Sequence, residues 1–143
     1  MRTIAPQRDP IVVADMARIL LIDDDKAVCE ATRIVLAANG YDVITAESGR
    51  SGIELARNNA VDLVLLDVFM PGMDGLTTAQ AIHREHPGLP IVAVSGFMFG
   101  GQCPTMPGFD DMAAEAGAIS TLYKPFKPAE LMQAIKKALK VMA

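Results

Sequence analysis

The chain has 143 residues, 51% of them apolar and 21% charged, which suits one globular domain whose core needs no disulfide or metal staple. Thirteen basic against seventeen acidic residues leave a net charge of −4, which argues against nucleic acid as a partner, because phosphate binding calls for a basic face. No apolar run approaches the length of a membrane span and no signal-type apolar region opens the chain.

Residues 1–17 hold two prolines and join no periodic pattern, so they are expected to form a flexible extension, with one domain over 18–143. Met16 would make a plausible natural start. From Arg18 onward, strand-length apolar runs alternate with helical segments. "RILLID" (18–23) reads as a strand, and "KAVCEATRIVLAAN" (26–39) as a helix burying Val28, Ile34, Val35 and Leu36 and closed by Gly40. "YDVITA" (41–46) alternates like a strand, and 49–59 reads as a short helix capped by Ser48. "DLVLLD" (62–67) is the most continuous aliphatic run, hence a central strand buried on both faces. Pro71-Gly72 forces a turn, Asp74 is positioned to cap the next helix, and Pro87-Gly88 ends it. "PIVAVS" (90–95) is the fourth strand, followed by a Gly-, Pro- and Met-rich loop over 96–108 and a short helix near 109–116. "STLYK" (120–124) is the fifth strand and 128–142 a closing amphipathic helix. This alternation predicts an α/β fold with a five-stranded parallel sheet and helices on both faces.

Ligands of open parallel sheets bind beyond the carboxyl ends of the strands. The residues at those ends are Asp23, Asp24 and Asp25 after the first strand, Asp67 after the third, Ser95 after the fourth and Lys124 after the fifth. Each has a bland reading alone, and Asp25 reads best as a helix N-cap. Together they place four carboxylates, a hydroxyl and an ammonium on one rim. Two unit charges 4 Å apart cost about 4 kcal/mol at an effective dielectric near 20, a cost that a hard cation offsets. Mg²⁺ takes one or two carboxylates and fills its remaining positions with water and phosphate oxygens. Asp67, alone at its strand end, is the candidate nucleophile for an aspartyl-phosphate, with Ser95 and Lys124 on the phosphoryl oxygens.

At these residues the chain resembles the receiver domain of two-component response regulators, over essentially all of 18–142. "LLIDDD", "LLDVFMPGMDG", "VAVSG" and "KPF" carry the resemblance, in order and on the right elements. It implies a flavodoxin-like (βα)5 fold with strand order 2-1-3-4-5. It implies Mg²⁺ held by Asp24 directly, Asp23 largely through water, Asp67, and the backbone carbonyl of Phe69. Asp67 would be the phosphoacceptor, Ser95 the switch hydroxyl and Lys124 the partner lysine, with a cis Lys124–Pro125 bond. A sensor histidine kinase or histidine phosphotransfer protein would donate the phosphoryl group, and a downstream protein would read the result. Such a protein is a signalling phosphoacceptor rather than an enzyme, catalysing only its own phosphorylation and dephosphorylation. With no output domain after the last helix, a stand-alone receiver is expected, and a homodimer through the last helix and fifth strand is left open.

Three features depart from the pattern. The span from Ser95 to Lys124 is long, and Met98, Met106 and Met112 either form an adaptable partner surface or fill gaps over the core. Thr121 stands where the family carries an aromatic residue, with Tyr123 two residues along on the same face. Phe69 and Phe97 flank the phosphoryl position and should impede an attacking water. Other readings are weaker: a haloacid-dehalogenase-type phosphatase needs an acid where Phe69 stands, and the "DDDK" that follows the first strand would repel a flavin phosphate. A receiver-fold interaction module working without phosphorylation through the 96–108 loop is the alternative. His83 and His86 have no acid or cysteine close in sequence to complete a metal site. Cys29 and Cys103 have neither CxxC nor metal-ligand spacing, which suits a reducing cytoplasm.

Overall fold

The computed structural model describes residues 17–68, 75–95 and 109–142. Strands β1 (Arg18–Ile22), β2 (Asp42–Ala46), β3 (Leu63–Asp67), β4 (Ile91–Ser95) and β5 (Ser120–Tyr123) form one parallel sheet. The strand order is β2-β1-β3-β4-β5, the expected flavodoxin-like arrangement. Helices α1 (Lys26–Ala38), α2 (Gly49–Asn58), α3 (Gly75–Glu85), α4 (Phe109–Glu115) and α5 (Pro128–Met142) follow the strands in turn.

The sheet divides the core into two layers because neighbouring side chains on a strand point to opposite faces. Leu20, Ile22, Val64, Leu66, Ile91 and Ala93 pack against α2, α3 and α4, whereas Ile19, Leu21, Leu63, Leu65, Val92 and Val94 pack against α1 and α5. Every residue of β3 and β4 is buried, as their unbroken aliphatic runs require. β2, at the edge, keeps exposed positions.

The helix ends follow local chemistry. Asp25 accepts from the amides of Ala27 (3.0 Å) and Val28 (3.1 Å), capping α1. At the other end Gly40 adopts φ 91°, and the amides of Gly40 and Tyr41 donate to Ala37 and Leu36. That pair of bonds is a Schellman closure, which favours glycine because its φ is positive. Ser48 and Ser51 form a reciprocal capping box on α2.

Two expectations need correction. Ala17 does not belong to a flexible extension: it is 2% exposed, and its carbonyl accepts from the Asp42 amide at 3.0 Å, carrying the β1–β2 ladder one residue further. Residues 1–16 lie outside the described part. The buried stripe of α1 runs through Cys29, Thr32 and Leu36, while Ile34 is 53% exposed. Three consecutive helical positions advance about 200°, so Ile34 and Leu36 cannot share one face. The expected cap at Asp74 also lies outside the described residues. Among those residues, no helix is long and apolar enough to cross a membrane.

Candidate functional site

The carboxyl ends of β1, β3, β4 and β5 converge on one rim, and the sheet's own hydrogen bonds hold their last residues in place. Beyond the ends of β1, β3 and β5 the ladder continues for one more residue. The amide of Asp23 donates to Ala46, that of Val68 to Val94, and that of Lys124 to Ser95, at 3.0, 3.0 and 2.8 Å. Backbone positions around the acids and the lysine are therefore set by parallel pairing rather than by loop geometry.

Asp23, Asp24 and Asp67 each present a carboxylate oxygen, and these three atoms lie within 4.8 Å of one another. Asp23 and Asp67 are 3% and 7% exposed, and Asp24 faces solvent. The Lys124 ammonium joins the buried pair, 3.1 Å from Asp23 Oδ2 and 3.3 Å from Asp67 Oδ2. The second oxygen of Asp23 accepts from the Asp25 amide at 2.9 Å. The side chain of Asp25 itself turns away to cap α1, so the rim gathers three carboxylates rather than four.

Three carboxylates against one ammonium leave the cluster two charges negative. Burial disfavours the charged form of Lys124, but the neighbouring carboxylates of Asp67 and Asp23 outweigh it and hold its pKa above the ordinary lysine value. The Lys124–Pro125 bond is cis, as the resemblance implied.

Ser95, 1% exposed, places its Oγ at the same rim with no hydrogen-bond partner among the described residues. A buried hydroxyl left unpaired costs about 1–3 kcal/mol, so it suits a site that receives an acceptor oxygen from a ligand. The all-oxygen, net-negative donor set fits a hard divalent cation such as Mg²⁺, and the serine and lysine fit an anionic oxygen beside it. Phe69, Phe97, Met98, Met106 and the 96–108 loop lie outside the described residues. Met112 is partly exposed. In the β4–β5 register, Thr121 stands beside Ala93 and Tyr123 beside Ser95, so both β5 residues share one face as expected.

Two features escaped the sequence reading. An apolar groove of ≈480 Å³ lies beside Lys124, between α1 and the segment from Lys124 to Leu131. Its walls come from opposite ends of the chain, so no local pattern announces it. The first residue of α3, Gly75, also sits directly on the backbone of Val68, next to Asp67. In the sequence Gly75 is the last residue of the "LLDVFMPGMDG" stretch, which gives no sign of this contact.

A family model described as the response regulator receiver domain matches residues 19–136. The transcriptional regulatory protein GlrR of Escherichia coli (strain K12) is 36% identical over 128 residues, 89% of this chain and 27% of that protein. Response regulator MprA of Mycobacterium sp. (strain KMS) is 37% identical over 123 residues, 86% of this chain and 50% of that protein. The chain thus spans between about a quarter and half the length of these relatives. Among solved structures, a CheY-like response regulator receiver domain protein from Methanospirillum hungatei JF-1 superimposes with a TM-score of 0.79 at 28% identity, covering 89% of this chain and 96% of that one. Chemotaxis protein CheY4 of Vibrio cholerae gives 0.78 at 27% identity, over 86% and 98%.

Proposed function

The chain belongs to the response regulator receiver domain family of two-component signalling proteins, and on that premise we propose that residues 18–143 act as one phosphorylatable unit whose acceptor is Asp67. A sensor histidine kinase or a histidine phosphotransfer protein supplies the phosphoryl group as phosphohistidine. A carboxylate oxygen of Asp67 attacks phosphorus; the new P–O bond forms as the P–N bond breaks, and the imidazole leaves with the electron pair. Lys124, now paired with Asp67 and Asp23, turns its ammonium to the phosphoryl oxygens. Ser95 donates its unpaired hydroxyl to another of them. Asp23, Asp24, Asp67 and the carbonyl of Phe69 are the groups that hold Mg²⁺, which when bound neutralises charge on the transferring phosphoryl group. The protein catalyses only its own phosphorylation and dephosphorylation, and a downstream protein reads the altered surface.

One observation carries this reading: two buried carboxylates share a single lysine, with a third carboxylate within reach of both. A purely structural ion pair would need neither the third acid nor an unpaired serine beside it. Intact mass after incubation with Mg²⁺ and acetyl phosphate tests it. One added phosphoryl group is expected on the wild type, and none on Asp67→Asn or in EDTA. An adduct that persists in Asp67→Asn would overturn the assignment.

A further inference from the structure

Two helices close on the acidic rim from behind, each through a glycine. Gly52 of α2 packs on Ile22, the residue before Asp23, and Gly75 of α3 packs on Val68, the residue after Asp67. The two contacts differ in kind. A β-carbon at Gly52 would meet the Cδ1 and Cγ1 atoms of the fully buried Ile22 side chain, so the adjustment it forces falls first on a side chain that must repack rather than on backbone. A β-carbon at Gly75 would fall 2.6 Å from both the carbonyl carbon and the carbonyl oxygen of Val68, and nearer still to its Cα. Backbone has no rotamer with which to yield. Val68 is also buried, and its amide donates to Val94 at 3.0 Å, so the sheet pins it from the other side.

The start of α3 and the end of β3 therefore meet backbone to backbone, one residue from the Asp67 carboxylate. We propose that Gly75 is a positioning residue of the cation and phosphoryl site. By letting α3 close fully on Val68, it holds the end of β3, and with it Asp67, in register with Asp23 and Lys124. The inference rests on the receiver reading of Asp67 given above. Mg²⁺ demands near-ideal octahedral geometry with ligands at about 2.0–2.1 Å, so a shift of a few tenths of an ångström at one carboxylate matters. Gly52 has less leverage, because its β-carbon would press on the Ile22 side chain rather than on the backbone that carries Asp23.

The two glycines supply the test. Gly75→Ala and Gly52→Ala add the same methyl group to a helix packed behind an acid-bearing strand end. Both should lower the melting temperature. Gly75→Ala should also weaken Mg²⁺ binding, read by calorimetry on the folded protein, by about tenfold or more, the usual range for losing a group that orients a metal ligand. Gly52→Ala should stay within about twofold of wild type on the same scale. Equal Mg²⁺ affinity in the two variants would overturn the positioning role while leaving the receiver reading intact, whereas a wild type that binds no Mg²⁺ would overturn both. Should Gly75→Ala fail to fold, amide exchange in the wild type decides. Because linkage is reciprocal, Mg²⁺ should slow exchange in residues 76–79 of α3 more than in residues 50–53 of α2. Equal or absent protection of the two helices would overturn the proposal.

Discussion

The Lys124 ammonium stands 3.3 Å from a carboxylate oxygen of Asp67, although 57 residues separate the two in the chain. The same ammonium lies 3.1 Å from Asp23, at a separation of 101 residues. Four strands, β1, β3, β4 and β5, must pair in register before these groups meet, so the charge balance of the rim is a product of the completed sheet.

Replacing that lysine should expose the cost of the acids. Lys124→Met keeps the apolar stem and leaves two buried carboxylates without their counter-charge. In Mg²⁺-free buffer we expect a loss of about 2–3 kcal/mol in urea unfolding, as for other buried charges deprived of a partner. Saturating Mg²⁺ should recover much of it. A variant as stable as wild type without the cation would show that the lysine does not balance the pair.

Asp24 acts in the opposite sense. It is the solvent-facing member of the cluster and adds negative charge to a site already rich in it. Asp24→Asn should raise the metal-free melting temperature by a few degrees. Mg²⁺ at about one hundred times its dissociation constant should stabilise wild type by about 2.7 kcal/mol, and the variant by clearly less. Thermal melts with and without the cation check both halves. Equal shifts would remove Asp24 from the metal site.

Cys29 gives a pH dependence. Burial beneath α1, assisted by the negative charge of Asp23, Glu30 and Glu47, pushes its thiol pKa up. The folded protein therefore keeps the proton after the unfolded chain, titrating near about 8.5, has lost it. Stability from this group is fully present below that pH and falls as pH rises toward the folded value. In a Cys103→Ser background, thiol alkylation at pH 9 should be slow until urea opens the protein. Rapid alkylation of the native state would show that the thiol is neither buried nor raised.

The exposed and buried faces of α1 can be separated by two truncations. Leu36→Ala, at a position fully buried between α1 and the sheet, should cost about 2–5 kcal/mol. Ile34→Ala, on the solvent side, should stay within about 0.5 kcal/mol. Comparable losses in urea unfolding would put Ile34 back in the core.

By itself the sequence determined much of this protein. The unbroken aliphatic runs of β3 and β4 could only be strands covered on both sides, and their alternation with helical segments implied parallel crossovers. Asp25, Ser48 and Gly40 marked helix ends through chemistry that acts within a few residues. The acids, the serine and the lysine were legible as strand-end residues, because a parallel sheet sends all its carboxyl ends to one rim. What pattern alone left open was the strand order, which the motifs supplied by resemblance and the pairing of β1 between β2 and β3 realises. Tertiary structure decided the rest. It drew Ala17 into the ladder, turned Ile34 outward, and gave Lys124 to Asp23 and Asp67 together. It also set the backbone of Gly75 against that of Val68. Caps and periodicity are written in local spacing, whereas which carboxylate shares an ammonium, and which glycine must stay bare, depends on atoms that only the packed sheet and helices bring within reach.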